Sequence, residues 1–308
     1  MAATHSQTQA WTTRKLLAWM ADAFTRNNLD SPRLFAELLL SHVIGCDRLK
    51  LYMDADRPAS ELERQPLREL GARALKNEPV QYLVGEGWFY GLPFYVDRRV
   101  LVPRPSTETL IEQVLQHARA EPGFGGKTGE GVCFADIGTG SGAISLVLLK
   151  NLPEARALAT DISTDAIDIA RRNAHRHALS ERIEFLHGDL LEPLADHPAG
   201  RELHYLVSNP PYIPDAEWDA VEPNVKDYEP HGALRGGADG LKFVRPLVER
   251  APSLLRACGL LLVEIAAATS EEALKLAQSN PLLENARVVQ DLEGLPRVLV
   301  ARRRPDRG

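Results

Sequence analysis

Three short stretches of this 308-residue chain combine residue types that can do chemistry. The most telling is Asn209-Pro210-Pro211-Tyr212, directly after the apolar run Tyr205-Leu206-Val207. Proline lacks an N–H and fixes φ, so a strand ending in Asn-Pro-Pro presents carbonyl oxygens rather than donors. The Asn209 side-chain oxygen and the Pro210 carbonyl can both accept from one NH2 group. Tyr212 can stack over a flat group held between them. Two acceptors and an aromatic lid suit a planar nitrogen whose hydrogens must be held, and a loop that merely ended a strand would need none of these.

The second stretch is Ala135-Asp136-Ile137-Gly138-Thr139-Gly140-Ser141-Gly142. Glycines between a strand and a helix allow a sharp turn and the close approach of a ligand. Gly138, Gly140 and Ala143 also satisfy the dinucleotide pattern G-x-G-x-x-A. Asp161 ends the next strand, where a ribose-binding carboxylate would stand. Taken alone, these residues leave a nicotinamide dinucleotide open. The third stretch is Gly188-Asp189, after another strand, where Asp189 can accept from an adenine amino group or cap a helix. A dinucleotide leaves the Asn209–Tyr212 corner idle, and that corner tips the reading towards transfer onto a planar amino group.

The elements that must position these residues follow from periodicity. Residues 11–80 read as helices: Leu16, Leu17, Met20 and Phe24 share one face, and Leu34, Phe35, Leu38, Leu39 and Val43 another. Ser31 is expected as an N-cap with Pro32 at the first helical position, and Gly45 as the terminator. A further helix is expected over 60–76. Residues 86–102 read as a β-hairpin, Glu86–Tyr90 against Phe94–Val102. Residues 121–131 read as a mobile glycine-rich surface loop. From residue 132, strands alternate with helices, which predicts a mostly parallel α/β sheet covered on both faces, with one of the last two strands antiparallel. The expected boundaries are a helical domain over 1–84, a hairpin linker over 85–104 and the sheet domain over 105–308.

Composition narrows the class. The chain is 44% hydrophobic, 25% charged and carries a net charge of −6, which argues against a duplex-coating protein. Cys46, Cys133 and Cys258 are far apart and read as buried reduced thiols. No histidine or cysteine cluster has ligand spacing, so no metal is expected. The opening residues lack a signal-peptide pattern, no window suits a membrane span, and "ARRRPDRG" reads as a frayed end. A cytoplasmic monomer is expected, without stable nucleic-acid binding or membrane association.

D-I-G-T-G-S-G at 136–142, Asp161, Gly188-Asp189 and N-P-P-Y at 209–212 together resemble class I S-adenosylmethionine-dependent methyltransferases of planar amino groups. "EPVQYLVGEGWFYGLPFYVDRRVLVPRPSTE" and "YEPHGALRGGADGL" resemble the HemK/PrmC family of protein-(glutamine-N5) methyltransferases, and the likeness covers nearly the whole chain. N-P-P-Y alone is shared with adenine-N6 methyltransferases. The resemblance implies a Rossmann-like fold with a helical substrate-recognition domain, and S-adenosylmethionine as cofactor. It implies that Gly138, Thr139, Gly140, Ser141 and Gly142 wrap the methionine part, that Asp161 takes the ribose, and that Asp189 and Leu190 border the adenine. Arg104 and Thr107 would approach the cofactor from the hairpin side. Asn209, Pro210, Pro211 and Tyr212 would hold a substrate glutamine, with Asn209 also beside the cofactor. The glutamine would be that of the Gly-Gly-Gln motif of class I release factors, with a large-subunit ribosomal protein as the first alternative and adenine-N6 methylation of nucleic acid as the second. Departures from the family pattern are Ser106 in place of an acid, Ala266 in place of glycine and Leu190 in place of an aromatic.

Overall fold

The computed structural model describes residues 11–305, so the expectation for the opening ten residues and the last three lies outside the described residues. The chain divides into two compact units: Met1–Gly85 with Pro223–Tyr228, and Glu86–Glu222 with Glu229–Gly308.

The first unit holds helices α1 (Thr13–Arg26), α2 (Pro32–Ile44), α3 (Arg48–Met53), α4 (Glu61–Ala74) and α5 (Val80–Val84). Its core is Leu16, Leu17, Met20 and Phe24 of α1 packed with Ala36, Leu39 and Leu40 of α2 and Leu67 of α4. The α1 face is the one its periodicity predicts. The α2 face is rotated: Leu34 is exposed, while Ala36, Glu37 and Leu40 are buried. That helix is apolar on most sides, so spacing did not single out a face. Ser31 precedes it in a left-handed conformation (φ 46°) and makes no side-chain cap, contrary to expectation. Pro32 opens the helix and Gly45 closes it, as expected. Ser60 and Glu63 form a reciprocal capping box on α4. The segment Pro223–Tyr228 belongs to this unit, with Tyr228 Oη donating to the Lys76 carbonyl at 2.8 Å.

The second unit begins with a hairpin, β1 (Glu86–Phe89) and β2 (Leu92–Tyr95). It is shorter than the sequence suggested. Tyr90 and Gly91 both have positive φ and form a two-residue turn, which places Trp88 opposite Pro93 and ends the ladder at Tyr95. After the hairpin come α6 (Glu108–Ala120), β3 (Cys133–Ile137), α7 (Ala143–Asn151), β4 (Arg156–Asp161), α8 (Thr164–Arg176), β5 (Ile183–His187) and β6 (Leu203–Ser208). The helical turn α9 (Pro223–Lys226) lies in the segment assigned to the first unit. The chain then continues through α10 (Val244–Arg250), β7 (Leu255–Glu264), α11 (Ser270–Ser279), β8 (Leu283–Gln290) and β9 (Pro296–Arg303). Seven strands form one sheet in the order β5-β4-β3-β6-β7-β9-β8; the pairs from β5 to β7 are parallel, and β9 runs antiparallel to both neighbours. All six residues of β6 are buried, as a central parallel strand covered on two faces requires.

Two further expectations give way. The 121–131 segment is packed: Phe124 is buried edge-on against His117 and Tyr205. A Cβ at Gly125 would meet Val132 at 2.5 Å, and one at Gly129 would meet Leu152 at 2.7 Å, so these glycines serve close packing rather than freedom. The "ARRRPDRG" end begins inside β9, which runs to Arg303. The three cysteines are free, as expected, but only half-buried.

Candidate active site

The sheet order places the carboxyl ends of β5, β4, β3, β6 and β7 side by side. They carry, in that order, Asp189, Asp161, the Gly138–Gly142 loop, Asn209–Tyr212 and Glu264. Ligands in open α/β sheets bind along this edge, near the point where strand order reverses. Here the reversal falls between β3 and β6.

The glycine loop is shaped by its own backbone. Gly138 (φ 71°), Gly140 (φ 56°) and Gly142 (φ 80°) are all left-handed. A Cβ on Gly142 would press on Ala170 and Leu146 at 3.3 Å, so that glycine lets α7 pack closely on α8. A Cβ on Gly138 or Gly140 would meet nothing within 4 Å, which leaves an open cradle beside the loop. Amides of Gly138 and Thr139 donate to the Thr160 carbonyl at 2.9 Å, and Gly140 N donates to Asp161 Oδ2 at 2.9 Å. Ser163 N donates to Asp161 Oδ1 at 2.9 Å. A carboxylate offers about four lone-pair sites, so Asp161 keeps acceptors for a ligand hydroxyl. Burial pushes its pKa up despite these donors.

Under the loop lies Asp136, fully buried. Its Oδ2 accepts from Thr139 Oγ1 at 2.7 Å, Ser145 Oγ at 2.6 Å and Ser145 N at 3.3 Å. Its Oδ1 has no partner in the protein. Burial raises its pKa to about 6 against the pull of those donors. Asp136 belongs to the motif read from the sequence, yet its type alone did not show that it is the staple beneath the loop.

The Asn209–Tyr212 corner draws on four separated segments. Asn209 Nδ2 donates to Thr107 Oγ1 at 3.1 Å, which turns the amide oxygen away from Thr107. Thr107 is buried at the end of the 3-10 turn Pro105–Thr107. Behind it stands Glu264, buried to 0% exposure, with the hydroxyls of Ser106 and Tyr212 against its carboxylate. Tyr212 Oη and Ser106 Oγ each lie 3.4 Å from Glu264 Oε1. The fourth segment grips the backbone: Gly236 N donates to the Ile213 carbonyl at 2.8 Å, and Ile213 N to the Leu234 carbonyl at 2.9 Å. A Cβ at Gly236 would lie 2.7 Å from the Tyr212 backbone, and one at Gly240 2.6 Å from its carbonyl oxygen. The "RGGADGL" stretch is therefore glycine-rich because it lies flat on Tyr212.

Other residues named from the sequence fall as follows. Thr107 touches Asn209 directly. Arg104 pairs with the buried Glu229 at 2.5 Å. Asp189 lies exposed two residues beyond β5, and Leu190 (φ 46°) is half-buried and accepts from Thr160 Oγ1 through its carbonyl at 3.0 Å. The structure adds Asn173 of α8, fully buried. It pairs with the Tyr95 backbone at 2.7 and 3.1 Å and donates to the Ser141 carbonyl at 2.8 Å, tying the hairpin to the glycine loop. Among the described residues, no group of three or more His, Cys, Asp or Glu could hold a metal ion, and no helix is long and apolar enough to cross a membrane.

Residues 15–85 match the PrmC N-terminal domain, and residues 125–225 match the methyltransferase small domain. A release factor glutamine methyltransferase of Chlorobaculum tepidum is 41% identical over 94% of this chain and 97% of its own length. One from Geobacter sulfurreducens is 38% identical over 96% and 98%. Among solved structures, the human Mettl16 catalytic domain in complex with the MAT2A 3′UTR hairpin 6 shares the fold. Its TM-score is 0.50 at 15% identity, covering 78% of this chain and 82% of that one.

Proposed function

The chain belongs to the family of release factor glutamine methyltransferases, and from that premise we propose that it methylates the side-chain amide nitrogen of the glutamine in the Gly-Gly-Gln motif of class I peptide release factors. The observation that carries this reading is the Asn209 amide. Its NH2 is committed to Thr107, so its oxygen, next to the donor-free Pro210-Pro211 backbone, is left to accept from a substrate amide. An acceptor-only corner suits a carboxamide NH2, both of whose hydrogens it can hold, and offers nothing to a carboxylate nucleophile.

The methyl donor is S-adenosylmethionine, which supplies an electrophilic methyl group on sulfonium. The residues present fit it: the open cradle over Gly138 and Gly140 suits a methionine part, and the spare acceptor capacity of Asp161 suits the ribose hydroxyls. We assign Gly138–Gly142 to the methionine part, Asp161 to the ribose, and Asp189 and Leu190 to the adenine. Arg104 and Thr107 have other partners in the structure, Glu229 and Asn209, and we assign them to positioning.

An amide nitrogen is a poor nucleophile because its lone pair is delocalised into the carbonyl. Asn209 Oδ1 and the Pro210 carbonyl, accepting the two N–H groups, hold the nitrogen with its face towards the methyl group and offset the positive charge that builds on it. Tyr212 covers the carboxamide plane. Alignment of this kind is worth about 7–11 kcal/mol of barrier. As the N–C bond forms, the S–C bond to the methyl group would break, the sulfonium would leave as a neutral thioether, and one N–H proton would pass to solvent. We assign recognition of the protein substrate to the helical unit, in keeping with its match to the PrmC N-terminal domain.

Mass spectrometry of a class I release factor incubated with the protein and labelled S-adenosylmethionine tests the reading. One added methyl group on the Gly-Gly-Gln glutamine is the expected result. Labelling of a large-subunit ribosomal protein in its place would move the substrate to that branch.

A further inference from the structure

We propose that Asn173 is a positioning residue for the cofactor: its carboxamide locks the glycine loop to the β-hairpin, so that the cradle over Gly138–Gly142 is set only while the hairpin is docked on α8. The inference deepens the reading above and rests on the glycine loop holding S-adenosylmethionine.

Three hydrogen bonds carry the link. Asn173 Oδ1 accepts from Tyr95 N at 2.7 Å, and Nδ2 donates to the Tyr95 carbonyl at 3.1 Å and to the Ser141 carbonyl at 2.8 Å. The amide treats Tyr95, the last residue of β2, as a strand neighbour would, and spends its second hydrogen on the loop. The task needs one acceptor and two donors on one flat group, which a carboxamide supplies. An ionised aspartate would bring no donor, and a leucine of the same outline would bring nothing. Asn173 is at 0% exposure, so either would leave main-chain groups unpaired in the interior.

The bond to Ser141 acts on the loop itself. The peptide between Ser141 and Gly142 is held at both ends, its carbonyl by Asn173 and its N–H by the Thr139 carbonyl at 2.9 Å. Glycine on either side of Ser141 can take several backbone conformations, so a peptide plane held at one end only would be free to turn. The bonds to Tyr95 act on the hairpin, which α8 also grips elsewhere. The Arg172 and Arg176 guanidinium groups lie 3.6 and 4.7 Å from the Tyr95 ring centroid, Arg176 pairs with Glu86 at 2.5 Å, and His177 Nε2 lies 2.9 Å from the Pro93 carbonyl. These residues seat the hairpin, and Asn173 among them reaches on to the loop. Coupling of this kind is reciprocal, so a cofactor that orders the loop also holds the hairpin down.

Calorimetric binding of S-adenosylmethionine and hydrogen exchange at the Tyr95 amide read the link without turnover. The amide is followed in protein labelled with 15N-tyrosine and assigned with Tyr95→Phe. Asn173→Ala weakens cofactor binding and speeds Tyr95 exchange, each by about tenfold. Saturating cofactor slows Tyr95 exchange in the wild type and leaves it unchanged in Asn173→Ala. Asn173→Asp adds a readout that a purely structural role would not move. Its ionised carboxylate faces two carbonyls, and its protonated form can donate to one of them again. Burial raises such a carboxylate, so its affinity relative to wild type recovers as pH is lowered from about 8 to about 6. Arg172, Arg176 and His177 are present in both proteins and cancel in that ratio. Wild-type affinity in a folded Asn173→Ala protein, with Gly140→Val weakened, overturns the proposal alone. Wild-type affinity in both variants overturns the placing of the cofactor in the loop, and the proposal with it. Should neither Asn173 variant fold, a wild-type Tyr95 amide that ignores saturating cofactor overturns the proposal equally.

Discussion

Two buried carboxylates, Asp136 and Glu264, stand at the ends of β3 and β7 on either side of β6. Both have an orphaned oxygen, and burial raises the pKa of both. Their partners differ. Asp136 is held by Thr139 and Ser145, three and nine residues away in the same loop and helix start. Glu264 gathers Ser106 and Tyr212 from 158 and 52 residues away. The glycine-loop side is thus a local motif with one acid beneath it, while the Asn209 side is assembled from remote segments around another. A local device can be read from a contiguous string, and an assembled one exists only once the sheet has formed.

That contrast can be broken experimentally. The largest effect is expected from Asn209→Ala: kcat falls by about a thousandfold, while cofactor affinity by calorimetry stays within about twofold of wild type. Near-normal methyl transfer would remove the acceptor corner from the mechanism. Gly140→Val should do the reverse. Its φ of 56° is strained for a branched residue and its side chain would enter the open cradle. Cofactor affinity is expected to drop about a hundredfold, since a strained φ costs about 1–3 kcal/mol before any ligand clash. Retained affinity would show that the cradle lies elsewhere.

Gly240→Ala probes the grip on Tyr212, because the new methyl would lie 2.6 Å from the Tyr212 carbonyl oxygen. Turnover should fall by about tenfold with cofactor affinity unchanged; a loss of cofactor affinity instead would join the two sides that the comparison separates. The smallest effect concerns pH. The three donors around Asp136 need its ionised form, so cofactor affinity should weaken as pH falls through about 6. The stability of the fold moves the other way for this group. Its folded pKa is raised, so the folded protein takes up the proton first, and this contribution to stability grows as pH falls from about 6 and is lost as pH rises again. His117 and His204 oppose it. Burial lowers their pKa values, so the unfolded chain binds protons first and their contribution is lost as pH falls below about 6.5. Calorimetric binding and thermal melts over the same pH range separate these effects. Affinity that holds steady below 6 would mean that Asp136 does not serve the loop in its ionised form.

Much of the fold was legible because its signals are local. The α1 face, the strand–helix alternation from residue 132 and the antiparallel strand near the end all follow from periodicity, and the corner at Asn209 from the chemistry of proline. Where the sequence misled, a distant constraint decided. The hairpin register was set by a turn at Tyr90-Gly91 rather than by the apolar run after it. The glycines at 125 and 129 looked like flexibility but serve close approach to Val132 and Leu152. Glu264 was invisible as a site residue, since a glutamate at a strand end reads as a solvated charge until Ser106 and Tyr212 are folded over it. Asn173 was hidden likewise, lying in an amphipathic helix with nothing to mark its link to Tyr95 and Ser141.

The assignment of Pro223–Tyr228 to the helical unit has a consequence for how the chain is made. The five N-terminal helices leave the ribosome first, but the segment that completes their packing emerges roughly 140 residues later, on the order of ten seconds or more at usual synthesis rates. Until then the Lys76 carbonyl waits for the Tyr228 hydroxyl. Cutting the chain at Gly85 would for the same reason yield two fragments that each lack something, rather than two free-standing modules.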